Sequence, residues 1–314
     1  MAFDLSNILV VGITSRALFN LEEENEIFEK HGLKAFADYQ LSQENKLLEK
    51  GTAFPLIEAL LNLNKKSNEQ LVEVVVISKN SPETGLRILH SINHYSLDIT
   101  RLALTGGENL ANYLEAYDVD LFLSKHERDV QDAIDAGCAA AIVYDNPTSD
   151  FVPDTEKVRF AFDADAVVFS EESEMIYKEH GLDAFFAHEK ENQESPLNEG
   201  PFAKLLKILS KIQEKFGLEN SPIKIAIVTA RNSPAHLRVI KTLRQWGVYA
   251  DSVFFLGGVA KDKILKAFRP HIFFDDQDIH VEPASRVVPA SIVPYHSKSP
   301  LRKIIEKKSK SKNV

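Results

Sequence analysis

The amino-acid sequence predicts a protein of the α/β class, with two tandem domains that each contain a mainly parallel sheet. Three observations support this prediction: the second half of the chain repeats the first, strand-sized apolar runs alternate with helical patterns, and polar residues follow the ends of the runs. The 314 residues are enough for two ordinary hydrophobic cores. Hydrophobic residues at 44% and charged residues at 26% are typical of globular proteins.

The repeat is visible as short strings that recur at a nearly constant separation. His31-Gly32-Leu33 returns as His180-Gly181-Leu182 at an offset of 149, and Gly106-Gly107 returns as Gly257-Gly258 at an offset of 151. A repeat of this length indicates that one domain occurs twice. We therefore expect the two halves to share one fold.

Within each half, apolar runs predict strands, and the stretches between them have helical patterns, such as residues 235–246. Strands that alternate with helices form βα units, which predict a Rossmann-like domain with a mainly parallel sheet. The predicted strands are residues 8–13, 72–78, 101–104, 121–123 and 139–143 in the first half, and 158–162, 224–229, 252–255, 271–274 and 286–289 in the second.

The turn residues of segment 146–156 predict a linker between domains that span residues 1–150 and 151–296. About sixty residues separate the first two strands of each half, which is more than one ordinary βα connection needs. This excess predicts a small helical cap over the strand ends, where parallel sheets bind ligands. The tail, residues 297–314, is rich in lysine and serine, so we expect it to be disordered.

Composition excludes several functional classes. The net charge is −9 although the tail is basic, and so acidic a body argues against a nucleic-acid-binding surface. Residues 1–5 lack an export signal, and the longest apolar runs are too short to span a membrane. Cys138 is the single cysteine, which excludes an intrachain disulfide and a cysteine-based zinc site. We expect a cytoplasmic protein without a nucleic-acid or membrane partner.

Polar side chains follow successive predicted strands of the second half or the loops after them. Parallel strands align their carboxyl ends along one edge of a sheet, so these side chains should converge although they are far apart in sequence. In chain order they are Asp163, Asp165, Thr229, Lys261, Asp275 and Asp276.

This set fits phosphomonoester hydrolysis. A phosphate dianion repels a carboxylate nucleophile, so a hard divalent cation such as Mg²⁺ is needed between them, and we expect metal ligands among Asp163, Asp165, Asp275 and Asp276. Asp163 is the predicted nucleophile, which would form an aspartyl-phosphate intermediate. Asp165 is the predicted acid that protonates the leaving alkoxide and the base that then activates water.

The remaining site predictions concern substrate. Thr229 is predicted to donate to a phosphoryl oxygen, and Lys261 to neutralise charge on the nucleophile and the transferring group. Arg231 is predicted to contact phosphate or ribose, with a surface salt bridge as the alternative. Phe169 is a candidate for stacking on a base. Singly these signals are weak, since an Asp-x-Asp pair is often only a turn or helix cap.

Longer strings around these residues resemble a known family. The strings are residues 158–170, 228–231 and 269–277 in the second half and residues 15–19, 91–95 and 104–107 in the first. They are similar to the cytosolic 5'-nucleotidase type I family of the haloacid dehalogenase superfamily, over about residues 7–296. The resemblance implies two haloacid dehalogenase-like domains and magnesium-dependent hydrolysis of nucleoside 5'-monophosphates, AMP prominent among them.

The first half has lost the proposed chemistry. At the repeat offsets, Asp163 corresponds to Thr14, Asp165 to Arg16, and Lys261 to Leu110, while Ser124 and Lys125 stand for the later acidic pair. We therefore predict that the first domain is a degenerate, non-catalytic copy of the second. Its sheet edge could bind a nucleotide effector. The sequence also leaves open a homo-oligomer, a phosphatase for another small phosphometabolite, and a nucleotide-sensing protein without enzymatic activity.

Overall fold

The structure, a computed structural model, describes residues 5, 8–148 and 151–312. The chain divides between Asn146 and Pro147 into two compact units, which we call the first and the second unit. Most of the amino terminus on which the export prediction rests, two residues of the predicted linker and the last two residues of the tail lie outside the described residues.

The first unit contains a five-stranded parallel sheet and a separate two-stranded antiparallel ribbon formed by β2 and β3. Its strands are β1 (Leu9–Ile13), β2 (Phe19–Asn20), β3 (Glu49–Lys50), β4 (Val72–Ser78), β5 (Arg101–Leu104), β6 (Leu121–Ser124) and β7 (Ala139–Val143). Its helices are α1 (Ser15–Leu18), α2 (Glu22–Ser42), α3 (Phe54–Asn64), α4 (Leu86–His94), α5 (Ala111–Ala116) and α6 (Glu127–Asp135).

The second unit has its own five-stranded parallel sheet. Its strands are β8 (Val158–Phe162), β9 (Ile223–Thr229), β10 (Ser252–Phe255), β11 (Ile272–Asp275) and β12 (Ala290–Ile292). Its α-helices are α7 (Glu172–His180), α8 (Leu182–Glu191), α9 (Ala203–Phe216), α10 (His236–Gln245), α11 (Lys261–Phe268), α12 (Asp278–Ser285) and α13 (Pro300–Lys312), and one wide helical turn covers Ala164–Val168.

Both units have the same strand order, β7-β6-β1-β4-β5 in the first and β10-β9-β8-β11-β12 in the second. In each, the first strand in sequence is central, the next two lie on one side and the last two on the other, as in Rossmann-like folds. Central strands such as β1 and β4 are buried along their whole length, which explains their nearly continuous apolar sequences. The predicted α/β class with parallel sheets in both halves is confirmed.

The predicted helical cap is present in both units, and the repeated His-Gly-Leu string forms its bend. In the second unit, α7 and α8 meet at Gly181, whose φ of 85° is rare for residues with a side chain. In the first unit, α2 bends at Gly32, with a φ of 79°. The repeat in sequence is thus a repeat in backbone conformation.

Two predictions about the carboxyl-terminal part are wrong. The last strand is β12, not residues 286–289, because the N–H groups of Val287 and Val288 donate to the carbonyl of Ala284 in a turn, and Pro289 has no N–H for a ladder. The tail, expected to be disordered, forms α13 over most of its length. Its Leu301 is fully buried, because apolar residues spaced three and four apart give the helix one apolar face.

Across the described residues, none of the helices is both long enough and apolar enough to cross a membrane.

Candidate active site

Asp163 and Asp275 meet at the carboxyl ends of two neighbouring strands. Strands β8 and β11 pair in parallel, with Phe162 opposite Phe274. The next residues, Asp163 and Asp275, therefore lie side by side at the carboxyl-terminal edge of the sheet. The backbone N–H of Asp163 donates to the carbonyl of Phe274 at 2.7 Å. Both carboxylates are buried there.

Lys261 joins these two carboxylates. It is the first residue of α11 and is buried, and its Nζ lies 2.5 Å from Oδ1 of Asp163 and 2.6 Å from Oδ2 of Asp275. The other oxygen of Asp275 accepts a hydrogen bond from the backbone N–H of Gln277 at 2.9 Å. A buried ammonium between two buried acids partly offsets their repulsion.

Asp276 adds a third buried carboxylate to this group. Asp163, Asp275 and Asp276 each present an oxygen within 4.8 Å of the others. The Tyr295 hydroxyl donates to Oδ2 of Asp276, whereas Oδ1 is buried and has no hydrogen-bond partner. Three carboxylates against one lysine leave excess negative charge, and an orphaned buried oxygen needs a donor or a cation. The donor set therefore fits a hard divalent cation, which prefers oxygen ligands.

Burial and mutual repulsion shape the protonation of this cluster. Burial raises the pKa of Asp163 to about 7, with Lys261 opposing the shift. Burial and the charge of Asp275 raise the pKa of Asp276 well above its usual range. Burial alone would lower the pKa of Lys261, but the adjacent carboxylates raise it above its ordinary value. Lys261 is therefore a permanent cation in the working pH range.

Asp165 does not lie in the group of three carboxylates. Arg231 donates from Nε to Oδ2 of Asp165 at 2.8 Å and from Nη2 to Oδ1 at 2.6 Å. This guanidinium holds both oxygens of Asp165, so the predicted role of Asp165 as a metal ligand stays a prediction, and the clustered carboxylates are those of the other three residues. Asp165 remains partly exposed, as an acid or base that meets substrate must be.

Arg231 differs from both interpretations offered for it. It is 4% exposed and therefore makes no surface salt bridge. Its Nη1 donates to Oε2 of Glu189 at 2.5 Å, and its guanidinium lies 5.4 Å from the ring centre of Phe185. With all three nitrogens bound to carboxylates, Arg231 organises the site and does not present itself to phosphate or ribose.

Phe169 is fully buried, so its predicted stacking on a base is wrong. Its ring packs against Trp246 at a centroid distance of 5.4 Å, and its backbone N–H closes the turn after Asp163 by donating to the carbonyl of Ala164 at 2.8 Å. The sequence shows an aromatic residue soon after Asp163 and Asp165, but an aromatic residue near the end of a strand can pack in the hydrophobic core as well as contact a ligand.

Thr229 ends β9, which pairs with β8 with Ile227 opposite Phe162. Its side chain is buried, and Oγ1 accepts a hydrogen bond from the backbone N–H of Arg231 at 3.2 Å. The hydroxyl proton is left to be donated elsewhere. The structure thus brings the carboxylates, the lysine and the threonine to one edge of the sheet.

Comparison with known proteins agrees with this geometry. A family model described as 5'-nucleotidase matches residues 1–300. The chain belongs to the 5'-nucleotidase family. It is 40% identical over 300 residues to human cytosolic 5'-nucleotidase 1B, with 92% of this chain covered, and it spans 49% of the length of that relative.

Solved structures match this family member only weakly. Two structures of the HAD domain of the effector protein Lem4 from Legionella pneumophila, one of them an inactive mutant, give TM-scores of 0.28 at 14% and 13% identity. The matches cover 48% of this chain and 92% and 93% of those domains. At such TM-scores the similarity does not indicate a shared fold or function.

Several residues of this 5'-nucleotidase-family site were not found from the sequence. Glu189, on cap helix α8, is fully buried and accepts hydrogen bonds from Arg231, Arg238 and Ser173. The repeat held a signal, since the position of Arg238 corresponds to Arg87 and both arginines bind a buried acid of the cap. Buried acids on amphipathic helices otherwise look like surface residues in a sequence.

Glu174 of α7 was also missed. Burial raises its pKa, and the charges of Asp163 and Asp165 contribute to that shift, which places Glu174 in the electrostatic environment of the site. It accepts a hydrogen bond from Gln277 and forms an ion pair with Lys178. The recurring Gly-Gly pairs meet a backbone requirement, because φ is positive at both glycines of 257–258 and at both glycines of 106–107.

Proposed function

We propose that this chain hydrolyses nucleoside 5'-monophosphates, AMP among them, and that the second unit carries the reaction. The observation that most supports this proposal is the buried contact of Lys261 with both Asp163 and Asp275, beside the orphaned oxygen of Asp276. Family membership supports the substrate class, as does the name of the relative, a cytosolic 5'-nucleotidase. That name also supports a cytoplasmic location for this chain.

Asp163, Asp275 and Asp276 would hold a divalent cation, which we propose to be Mg²⁺. When bound, the cation would neutralise charge between the phosphate and the carboxylates. Small, hard Mg²⁺ suits a site of a few carboxylates together with phosphate oxygens. Tyr295 fixes one oxygen of Asp276 and so leaves the other directed to the cluster.

In the proposed reaction, a carboxylate oxygen of Asp163 attacks phosphorus and the bond from phosphorus to the 5' oxygen breaks. Asp165 gives its proton to the leaving 5' oxygen, which departs as the nucleoside hydroxyl. Water then attacks the aspartyl phosphate, its proton passes to Asp165, and phosphate leaves with Asp163 restored. Lys261 restrains the nucleophile, and Thr229 can donate its free hydroxyl proton to a phosphoryl oxygen.

The first unit is proposed to be non-catalytic. Its positions equivalent to Asp163 and Asp165 are Thr14 and Arg16, and neither side chain can act as a carboxylate nucleophile or as a carboxylic acid. Thr14 hydrogen-bonds Ser124, which stands where the second unit has Asp275. This unit would therefore not contribute a second hydrolytic site.

The decisive test compares Asp163→Asn with Asp183→Asn, an exposed acid of the cap that serves as the matched control. Phosphate release from AMP, other nucleotides and sugar phosphates is measured with Mg²⁺ present. Asp163→Asn should lose activity on every substrate, and Asp183→Asn should retain it. Rapid quenching with phosphorus-labelled AMP should leave label on the wild-type protein and on Asp183→Asn, but not on Asp163→Asn.

Each alternative function has its own outcome in this test. Sugar phosphates hydrolysed far faster than any nucleotide would show a phosphatase for another metabolite. A wild-type protein that binds nucleotides without releasing phosphate would be a sensor, not an enzyme. Full activity of Asp163→Asn would overturn the proposed nucleophile.

A further inference from the structure

The first unit keeps a ligand-sized cavity although it lacks the carboxylates of the second. The cavity has a volume of about 840 Å³ and is lined by residues that follow β1, β4 and β6. We call it the first-unit cavity. Ligand pockets of small molecules fall in this size range and occupy this edge of parallel sheets.

Hydroxyl groups line the floor of the first-unit cavity, and two of them, those of Thr14 and Ser124, stand where the second unit has Asp163 and Asp275. Ser15 and Ser78 lie 3.0 Å apart through their hydroxyl oxygens, and Asn80 donates to both, at 3.2 and 2.8 Å. All these side chains are neutral. An anion that would be repelled by the second unit's carboxylates meets no such repulsion at these positions.

Two cations stand where the second unit has acids. Arg16 and Lys125 occupy the repeat positions of Asp165 and Asp276. Both bind the same carboxylate, that of Glu22. Arg16 donates from Nε at 3.2 Å and also from Nη2, and Lys125 Nζ lies 2.7 Å from Oε1. An arginine fork and a lysine converging on one oxyanion form the arrangement that recognises phosphate.

Glu22 is positioned to give way to another anion. Its side chain is 42% exposed and begins the first turn of α2, whereas that of Lys125 is only 10% exposed. The second acid on Lys125, Asp145, is 88% exposed. Exposed ion pairs contribute little to stability, so an incoming phosphate displaces them at small cost.

The buried or deeper acids of the cavity do not compete for this cation pair. Asp129 is bound by Lys79 at 2.5 Å, and Asp132 accepts a hydrogen bond from Asn109 at 2.8 Å. The carboxylates in contact with Arg16 and Lys125 are therefore those of the half-exposed Glu22 and the exposed Asp145.

An apolar wall completes the cavity. Phe28 and Leu33 of α2 line it and are 44% and 69% exposed, and Phe28 meets Phe36 edge-to-face at 6.0 Å. Exposed aromatic and aliphatic groups beside a cation pair suit a ligand with a flat apolar part and an anionic end.

We propose that the first-unit cavity binds an organic phosphate monoester with a flat ring, and that its phosphate replaces the Glu22 carboxylate between Arg16 and Lys125. Binding involves no bond cleavage and needs no divalent cation. This site does not rest on the hydrolytic function proposed for the second unit.

The test is calorimetric titration of the full chain with AMP in excess EDTA, which removes divalent cations from the carboxylate site of the second unit. One metal-independent site per chain is expected. Glu22→Gln removes the internal competitor and should tighten binding about tenfold, which corresponds to roughly 1.4 kcal/mol. Glu26→Gln is the matched control, because Glu26 lies one turn along α2 and pairs only with Lys30 among the described contacts.

Three further binding measurements test the site. Lys125→Ala should weaken AMP binding at least about tenfold, and circular dichroism confirms that the variant is folded. Adenosine should bind far more weakly than AMP, and inorganic phosphate should compete with AMP. Absence of metal-independent binding in both wild type and Glu22→Gln would overturn the site, as would equal effects of Glu22→Gln and Glu26→Gln. Neither result bears on phosphate release by the second unit.

Discussion

Arg231 and Asp165 form a two-point hydrogen-bonded ion pair, with nitrogen–oxygen distances of 2.8 and 2.6 Å. The third nitrogen of Arg231 binds Glu189 of the cap helix α8. The proposed acid and base is thus tied through one buried guanidinium to the cap. In the first unit the equivalent of Arg231 is Asn80, which bonds to hydroxyl groups, so this link belongs to the unit that carries the proposed chemistry.

Arg231→Lys is expected to lower kcat for nucleotide hydrolysis about 10- to 100-fold while KM changes little. A lysine keeps the charge but cannot hold both oxygens of Asp165, and misplacement of a catalytic group costs rate more than binding. Steady-state kinetics over a range of pH measure both effects. Because Arg231 acts through Asp165, the pH profile of kcat should change as well.

Arg238→Lys provides the matched control, because Arg238 also binds Glu189, at 3.0 Å, but has no hydrogen bond to Asp165. It should reduce stability without a comparable loss of kcat. Equal losses of kcat in the two variants would mean that Arg231 only supports the fold.

Glu189→Gln is expected to lower the free energy of unfolding by roughly 3 kcal/mol, because two buried arginines then share one acid fewer. In the first unit the two equivalent cap positions hold the acid and the neutral residue in the opposite order. Glu24 stands at the position of Ser173 and Gln40 at that of Glu189, and Arg87 binds both. Adding Ser173→Glu to Glu189→Gln should therefore recover part of the loss. Urea unfolding measures each value.

The control for this exchange is Glu194→Gln, since Glu194 is 76% exposed and pairs with Lys241 at the surface. It should change the free energy of unfolding by less than about 1 kcal/mol. If the double variant were no more stable than Glu189→Gln alone, the two cap positions would not be interchangeable.

Removal of divalent cations with EDTA is expected to abolish hydrolysis, and Mg²⁺ should restore it. Asp276→Asn should raise the Mg²⁺ concentration needed for half-maximal activity at least about tenfold, because it removes one of three carboxylate ligands. Tyr295→Phe frees an oxygen of Asp276 and should have a smaller effect of the same sign. Unchanged metal dependence in Asp276→Asn would place the cation elsewhere.

The sequence predicted those parts of the fold and site that depend on local pattern and on the repeat. The strands that carry Asp163 and Thr229, and the convergence of Asp163, Lys261 and Asp275, followed from apolar runs and parallel topology. Side-chain partners could not be read in this way. Arg231 binds Asp165 although the two are 66 residues apart, and no pattern along the chain specifies how far a flexible side chain reaches.

The tail was wrongly predicted because the prediction used its average composition. Its lysines and serines dominate the composition, but three apolar residues at helical spacing are enough to seat it once a partner surface exists. Ser299 anchors the start of α13 by donating to Glu171, and Leu301 is fully buried. Composition describes the average of a segment, whereas packing depends on one face of it.

The contribution of His271 to the stability of the second unit should fall as pH drops from about 7 towards 4. Burial lowers the pKa of His271 to about 4, below its ordinary value of 6.5. Its Nδ1 accepts the backbone N–H of Arg159 at 3.1 Å, and Nε2 bonds the carbonyl of Asp154 at 3.0 Å. Protonation of Nδ1 would break the first of these bonds.

The sign of this dependence follows from the two states of His271. Below pH 6.5 the unfolded chain binds a proton that the folded chain rejects, so stability present above pH 6.5 is lost as pH falls, by up to about 3 kcal/mol near pH 4. Urea unfolding of wild type and His271→Asn at several pH values isolates this part as the difference between their slopes. His180→Asn, at an exposed cap position, is the matched control and should keep the wild-type slope.

In the first unit, Asp120 takes the place of His271 and accepts the equivalent strand N–H, of Val10, at 3.1 Å. Because asparagine also offers an oxygen acceptor there, His271→Asn should fold and should lose the His271 contribution to the pH dependence.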